Sequence, residues 1–285
     1  MPLRAAQRTF LKILSRPDLI VKAWKSLNNE ALESLRSQNP RHYLRITKRN
    51  INFKNASMAS RAKIYSFHYS TIAKKFNKDF IRECNEKGVI LWRSAVNPEL
   101  NICLIQGNSQ FRDGEIELQF RNGYKVMYFM GFTLVPSDSL FKGSKEGLLI
   151  TRVQGTTEYL RFFKQHKTLL LDVALNHLLF AVMRGLAAFL QSPAIYGVST
   201  KFQSYFSDDR FDRFNKVYDN FWDSLLGIRP TVAFYQLPSP WVDKDILDIK
   251  QHHRSRTKKK REFKNVIMES AHTALKMLNN QSTIR

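Results

Sequence analysis

Two carboxylates, Glu115 and Glu117, stand one residue apart in "GEIELQF" and are the acidic side chains best suited by type to act as general bases. They alternate with Ile116 and Leu118 in a period of two, so the plainer reading makes both of them solvent-facing strand residues. An apolar-Gln-Gly sequence occurs twice, in "LIQGN" and "RVQGT", as if two strands ended alike. Other chemical signals are missing. No G-x-S-x-G, G-x-G-x-x-G or G-x-x-x-x-G-K-[ST] string occurs, which removes the common serine-nucleophile, dinucleotide and P-loop signatures. His252 and His253 are adjacent, and neighbours on a helix point about 100° apart, which suits metal ligation poorly. No metal site is expected. Cys84 and Cys103 lie among apolar residues outside any CxxC pair and read as reduced, structural thiols.

The chain has 285 residues, 43% of them hydrophobic, enough to bury a core without disulfides, and a formal net charge of +22 that a polyanionic partner would relieve. Much of that charge is concentrated in "QHHRSRTKKKREF" (251–263). On a helix, Arg254, Arg256, Lys258, Lys259, Lys260 and Arg261 would cover every face, so the segment is either solvated or pressed against an anion. The expected partner is an anionic membrane surface or another polyanion. Nucleic acid is the weaker choice, because no helix-turn-helix, RNA-recognition sheet or zinc finger accompanies the charge. In the basic start of the chain, Lys12, Arg16, Asp18 and Lys22 interrupt each apolar stretch, which argues against a cleaved secretory signal. The apolar segment 169–190 contains Asp172, Asn176, His177 and Arg184, so it reads as a buried helix and not as a membrane span.

These side chains need a scaffold. Residues 1–95 read as mostly helical. Residues 96–285 read as a mixed α/β region with a basic C-terminal helix, the two parts together being either separate units or one continuous domain. Two strand-like runs around Asn122–Gly123 predict an antiparallel hairpin with a type I′ turn. Strand 147–155, a long apolar helix over 168–190 and strand 194–200 predict a crossover with a parallel pair. The aromatics of 202–222 read as core, 231–238 as a last strand, and "KDILDIK" as the start of the final helix. The fold class is therefore α+β, with a mixed sheet.

Several separated blocks resemble the VirK/YbjX family of bacterial proteins. "RAKIYSFHYSTIAKKF" resembles its early helix with a His-Tyr pair, here His68 and Tyr69, and "GLLITRVQG" its strand ending in Gln154 and Gly155. The strand ending in Gly197, Val198 and Ser199 resembles another block. So does the aromatic block with Phe221, Trp222, Gly227, Leu237 and Pro238, and so does the closing Lys/Arg cluster. The resemblance covers roughly residues 40–270. Two features depart from it: "STKFQSYF" has no His after the Gly-Val-Ser strand, and a single Gly227 stands where a pair is expected. The resemblance implies a role in envelope integrity, resistance to antimicrobial peptides or virulence, and together with the large positive charge it leads to the expectation of a cytoplasmic protein, peripheral at the inner membrane. It implies no reaction and no cofactor.

The order of hairpin, strand, helix and splayed strand also looks like a Gcn5-type acyltransferase core. That likeness implies an acyl-CoA or acyl-carrier site where the strands diverge, with Gln154, Gly155 and Ser199 around it and Glu115 or Glu117 as base. The connection "QGTTEYLRFFKQHKT" has one glycine and lacks the glycine-rich phosphate pattern.

Overall fold

Apolar alternation builds an eight-stranded sheet. Its strands are β1 (Val89–Arg93), β2 (Leu100–Gln106), β3 (Ile116–Asn122), β4 (Lys125–Val135), β5 (Gly147–Gly155), β6 (Ile195–Val198), β7 (Ile228–Thr231) and β8 (Phe234–Leu237). The computed structural model of the chain describes residues 11, 13–107 and 113–280. The leader reading at residues 1–10 and Lys12, and Asn108 of "LIQGN", lie outside them. The strands are ordered β1-β2-β3-β4-β5-β6-β8-β7, and every neighbouring pair is antiparallel except β5–β6. The mixed sheet and its strand-helix-strand crossover are as the sequence predicts.

Details differ. β1 lies inside the stretch read as helical and pairs with β2 at one edge of the sheet. The β3–β4 turn is centred one residue later than predicted: Asn122 pairs with Lys125, leaving Gly123 and Tyr124 as the loop. Only the glycine has positive φ, +57°, the pattern of a type II′ turn and not of a type I′. The last strand is the second half of a β7–β8 hairpin.

Nine helices among the described residues surround the sheet: α1 (Pro17–Leu27), α2 (Glu33–Gln38), α3 (Met58–Lys75), α4 (Lys78–Glu86), α5 (Tyr159–His166), α6 (Leu175–Leu190), α7 (Phe211–Val217), α8 (Asp219–Ser224) and α9 (Gln251–Asn280). α6 is shorter than the predicted 168–190, because Leu171 and Asp172 adopt left-handed φ values of +51° and +52° and break the run before it. It is apolar on most faces, with one side on the sheet and another on α9. Each fully buried Leu of this kind contributes roughly 1.5–3 kcal/mol. α9 docks through Ile267, Ala271 and Leu275, while Val266 and Met277 are exposed. α9 also starts later than "KDILDIK". Ile246–Asp248 forms a 3-10 turn, capped by the Asp245 side chain accepting from the Leu247 amide.

One apolar cluster runs from Leu19 of α1 through Tyr65 and Ile72 of α3 and the sheet to Leu275 of α9, so the 1–95 and 96–285 regions share a core. A second cluster gathers Val135, Leu149, Tyr196, Val198 and Phe234 with Phe53 and Ile64. Ile195 belongs to the first cluster and its neighbour Tyr196 to the second, so the two lie on opposite faces of β6. None of the described helices is long and apolar enough to cross a membrane.

The indole of Trp222 lies against the bare backbone of Gly197, where an added Cβ would come within 2.5 Å of the ring. Gly197→Ala is therefore expected to destabilise the fold by about 1–3 kcal/mol through overpacking, read as a lower urea midpoint. An unchanged midpoint would refute this contact.

Candidate functional site

The parallel pair β5–β6 is short. It holds through Leu148↔Ile195, Leu149↔Tyr196 and Ile150↔Gly197, and then the strands part. Two aromatic side chains one helical turn apart stand in the gap. The Tyr218 hydroxyl accepts from the Val153 amide at 3.4 Å, occupying the edge of β5, and Trp222 Nε1 donates to the Val198 carbonyl at 3.0 Å, occupying the end of β6. Beside Tyr218 opens a cavity of about 590 Å³, walled by Tyr128, Tyr159, Tyr205 and Phe214 and rimmed by Arg152, Arg210 and Arg213.

Gln154 and Gly155 line this cavity. Gly155 faces the rings of Tyr159 and Tyr128, which meet edge to face at 4.9 Å. Arg152 donates to Gln154 Oε1 at 3.1 and 2.9 Å and stacks over the Phe129 ring at 4.1 Å. Arg210 donates to the Ser207 hydroxyl at 2.9 Å. Arg213 is exposed and makes no ion pair among the described residues. Burial pushes the Tyr128 and Tyr218 hydroxyls up, and neighbouring Asp113 adds to the effect at Tyr218, so both remain protonated donors at neutral pH. Among the described residues the lining contains no carboxylate, histidine or thiol. An apolar wall beside guanidinium groups suits a ligand that is anionic at one end and greasy at the other.

Ser199 is not part of this cavity. It is fully buried, its hydroxyl donating to the Val232 carbonyl at 2.7 Å and its amide to Ala233 at 2.9 Å, so its polar groups are used in holding the β7–β8 turn.

Glu115 and Glu117 are not solvent-facing either, being 2% and 6% exposed, because this sheet is covered on both faces at their position. Glu115 Oε2 accepts from the Tyr69 hydroxyl at 2.8 Å and lies 3.4 Å from Arg45 Nε. Arg45 also donates to the Gly114 carbonyl at 3.1 Å. Around the pair, His42 Nδ1 meets the Tyr65 hydroxyl at 2.8 Å, and Gln106 donates to Tyr69 at 3.1 Å. Glu117 accepts from Gln119 at 3.1 Å. Burial and the facing Glu115 push both tyrosine hydroxyls well up, and Glu115 also raises Arg45 against the cost of its burial. A base held this tightly, with no lining position in the cavity, is an internal counter-ion.

The family-motif residues are mostly joints. His68 is fully buried, and its Nδ1 accepts from the Leu134 amide at 3.1 Å. Phe221 packs edge to face on His177 at 5.2 Å. The Gly227 amide donates to the Trp222 carbonyl at 3.0 Å, and Pro238 follows the last residue of β8. His42 and Arg45 were not singled out from sequence. Their signal, a histidine and an arginine spaced three apart in "HYLRIT", points nowhere until Glu115 is folded onto them.

The basic half of α9 is largely held by the protein itself. Arg256 pairs with Asp172 at 2.8 Å, Lys260 donates to the Asp172 carbonyl at 2.9 Å, and Arg261 lies 3.6 Å from Asp243. Arg254 donates to the Ile249 and Leu247 carbonyls at 2.9 and 3.0 Å. Lys258 and Lys259 are exposed and make no ion pair among the described residues. Both cysteines are buried free thiols, and no metal-binding cluster occurs among the described residues.

Removing Glu115 leaves a buried guanidinium uncompensated. Glu115→Gln is expected to cost about 3–5 kcal/mol in urea unfolding, with Arg45→Met plus Glu115→Leu recovering much of it. The buried histidines set the response to acid. Burial, helped by Arg45, holds His68 at about 3; burial, with Lys264 and Lys260, holds His177 at about 4; His42 is well below 6.5. These depressed values mean the unfolded chain binds more protons. Stability is therefore full above pH 6.5 and falls as pH drops toward 4, by up to about 1.4 kcal/mol per pH unit for each imidazole. A urea midpoint flat from pH 7 to 5 would contradict neutral burial.

No curated protein matches this chain, and no solved structure does. One family, described as a protein of unknown function (DUF535), matches residues 3–273. That match takes in every strand and all but the last turns of α9, and the chain belongs to the DUF535 family.

Proposed function

We propose that the protein is of VirK/YbjX type, supporting bacterial envelope integrity and resistance to antimicrobial peptides, and that it does so as a peripheral binder of anionic surfaces on the cytoplasmic side. The observation that carries this reading is the arginine-rimmed aromatic cavity at the end of β5. Its guanidinium groups match a phosphate head group, and its rings match the first part of an acyl chain. The net charge of +22 favours approach to any anionic leaflet. Within the basic run of α9, Lys258 and Lys259 are exposed and make no ion pair among the described residues, while exposed Arg256 is paired with Asp172, so the contact is assigned chiefly to the cavity rim.

A second reading, an acyltransferase with acyl-CoA or acyl-carrier donor, is favoured by the place of the cavity, where a parallel pair diverges just before a crossover helix. The absence of a carboxylate or histidine from the described lining makes binding the better supported role.

Co-sedimentation with phosphatidylglycerol vesicles and with phosphatidylcholine vesicles tests the proposal. Preference for the anionic vesicles is expected. Each basic residue near such a surface contributes about 1 kcal/mol, so Arg210→Gln with Arg213→Gln should weaken binding roughly 30-fold. Equal binding to both vesicle types, or no effect of the double substitution, rejects it. A saturable thermal shift with acyl-CoA would move the assignment to the acyltransferase reading. Salt-sensitive binding to DNA and RNA, stronger than to either vesicle, would move it to nucleic acid.

A further inference from the structure

A second, smaller cavity lies where the basic half of α9 passes the end of α8 and the loop that follows β8. Its volume is about 210 Å³, below the roughly 300–1,000 Å³ of a pocket for a drug-sized ligand. Lys244, Lys260, Arg261 and Lys264 line it together with one carboxylate, Asp243. That acid is already engaged, 3.6 Å from Arg261 Nε. Lys264 makes no hydrogen bond or ion pair among the described residues; burial, with the nearby charges of Arg184, Arg261 and Lys260, lowers its proton affinity, and Asp243 offsets part of this. Trp241, on the same wall, keeps a buried indole N–H with no acceptor among the described residues. Arg184 stacks over its ring at 5.1 Å.

Cations converging on a partly buried space repel one another unless an anion joins them. Asp243 is the one lining carboxylate for four positive side chains, of which Lys260 donates also to the Asp172 carbonyl and Arg261 to the Lys244 carbonyl, and the indole N–H adds a donor with nothing to donate to. A phosphate group supplies both missing elements, a double negative charge and several acceptor oxygens, in a volume this cavity holds.

We propose that this cavity is a binding site for a phosphate group, as inorganic phosphate or as the terminal phosphate of an ester, held by Lys264, Lys260 and Arg261. The site is separate from the β5-edge cavity and does not depend on the role given to it. Two sources share this chemistry, a soluble phosphate ester and the head group of phosphatidic acid.

Calorimetric titration of the full chain with inorganic phosphate and with glycerol 3-phosphate, at constant ionic strength in chloride, is run beside sedimentation with phosphatidic acid vesicles. Saturable binding of at least one is expected. Lys264→Gln should weaken it tenfold or more, and Lys142→Gln, at an exposed position elsewhere, should leave it unchanged. Asp243→Asn should tighten it several-fold by removing the competing carboxylate. Binding of a soluble phosphate identifies a free ligand; binding of the vesicles alone identifies the head group. The proposal is overturned if none of the three binds saturably, or if Lys264→Gln, shown by circular dichroism to be folded, binds as tightly as the parent. Arg210→Gln with Arg213→Gln should not alter glycerol 3-phosphate binding, which separates this site from the other.

Discussion

A wedge of two aromatic side chains decides the functional geography of this fold. Parallel strands would continue pairing along their shared length, but Tyr218 takes the amide of β5 that β6 would otherwise engage, and Trp222 takes the last carbonyl of β6. Both come from one helical turn, so they act as a unit. Gly197 makes room for the indole, and the strand beyond it turns off toward Ser199 and the β7–β8 hairpin. The freed edge of β5 becomes a floor for a cavity in place of a ladder. The blocks around Gly197, Trp222 and Gly227 therefore describe one joint made from three separate stretches of chain.

Charge is handled differently on the two sides of the molecule. Inside, Arg45 and Glu115 form a pair whose remaining polar atoms are partly satisfied by Tyr69 and by the Gly114 carbonyl. Such a pair adds little net stability against an apolar substitute, yet it penalises any packing of the 3-10 segment His42–Thr47 on the sheet that separates the partners. Outside, the large positive excess is partly neutralised by backbone carbonyls and by single carboxylates such as Asp172. The left-handed conformation of Asp172 ends the approach to α6 and also presents its carbonyl and carboxylate to α9.

The parts legible in the sequence were those with a strong local period. The β3–β4 hairpin, β5 and α6 each show their alternation or apolar stripe within a single window. β1 was hidden because "VILWR" is short and follows a helix directly. β7 was hidden because Pro230 sits inside it and its residues are mostly exposed. Alternation revealed that Glu115 and Glu117 share a face, but it carries no information on whether that face is covered. Strand order placed Gln154, Gly155 and Ser199 at neighbouring strand ends, but the surroundings of Ser199 depend on Val232, more than thirty residues away. The basic run was visible as charge. Its docking was not, because its acceptors lie in distant segments, including Asp172 some eighty residues earlier.

α9 does more than complete the core. Near its end, Asn279 accepts from the Asn77 amide and donates to the Lys75 carbonyl, tying the last helix to the junction of α3 and α4. Between those contacts it lies along α6 and reaches β1. During synthesis the first helices thus emerge long before the segment that seals them, and their apolar faces must wait uncovered while about two hundred further residues are added. A nascent chain built this way depends on whatever shields it at the ribosome, and a stop codon even slightly upstream of residue 267 would release a body that cannot close.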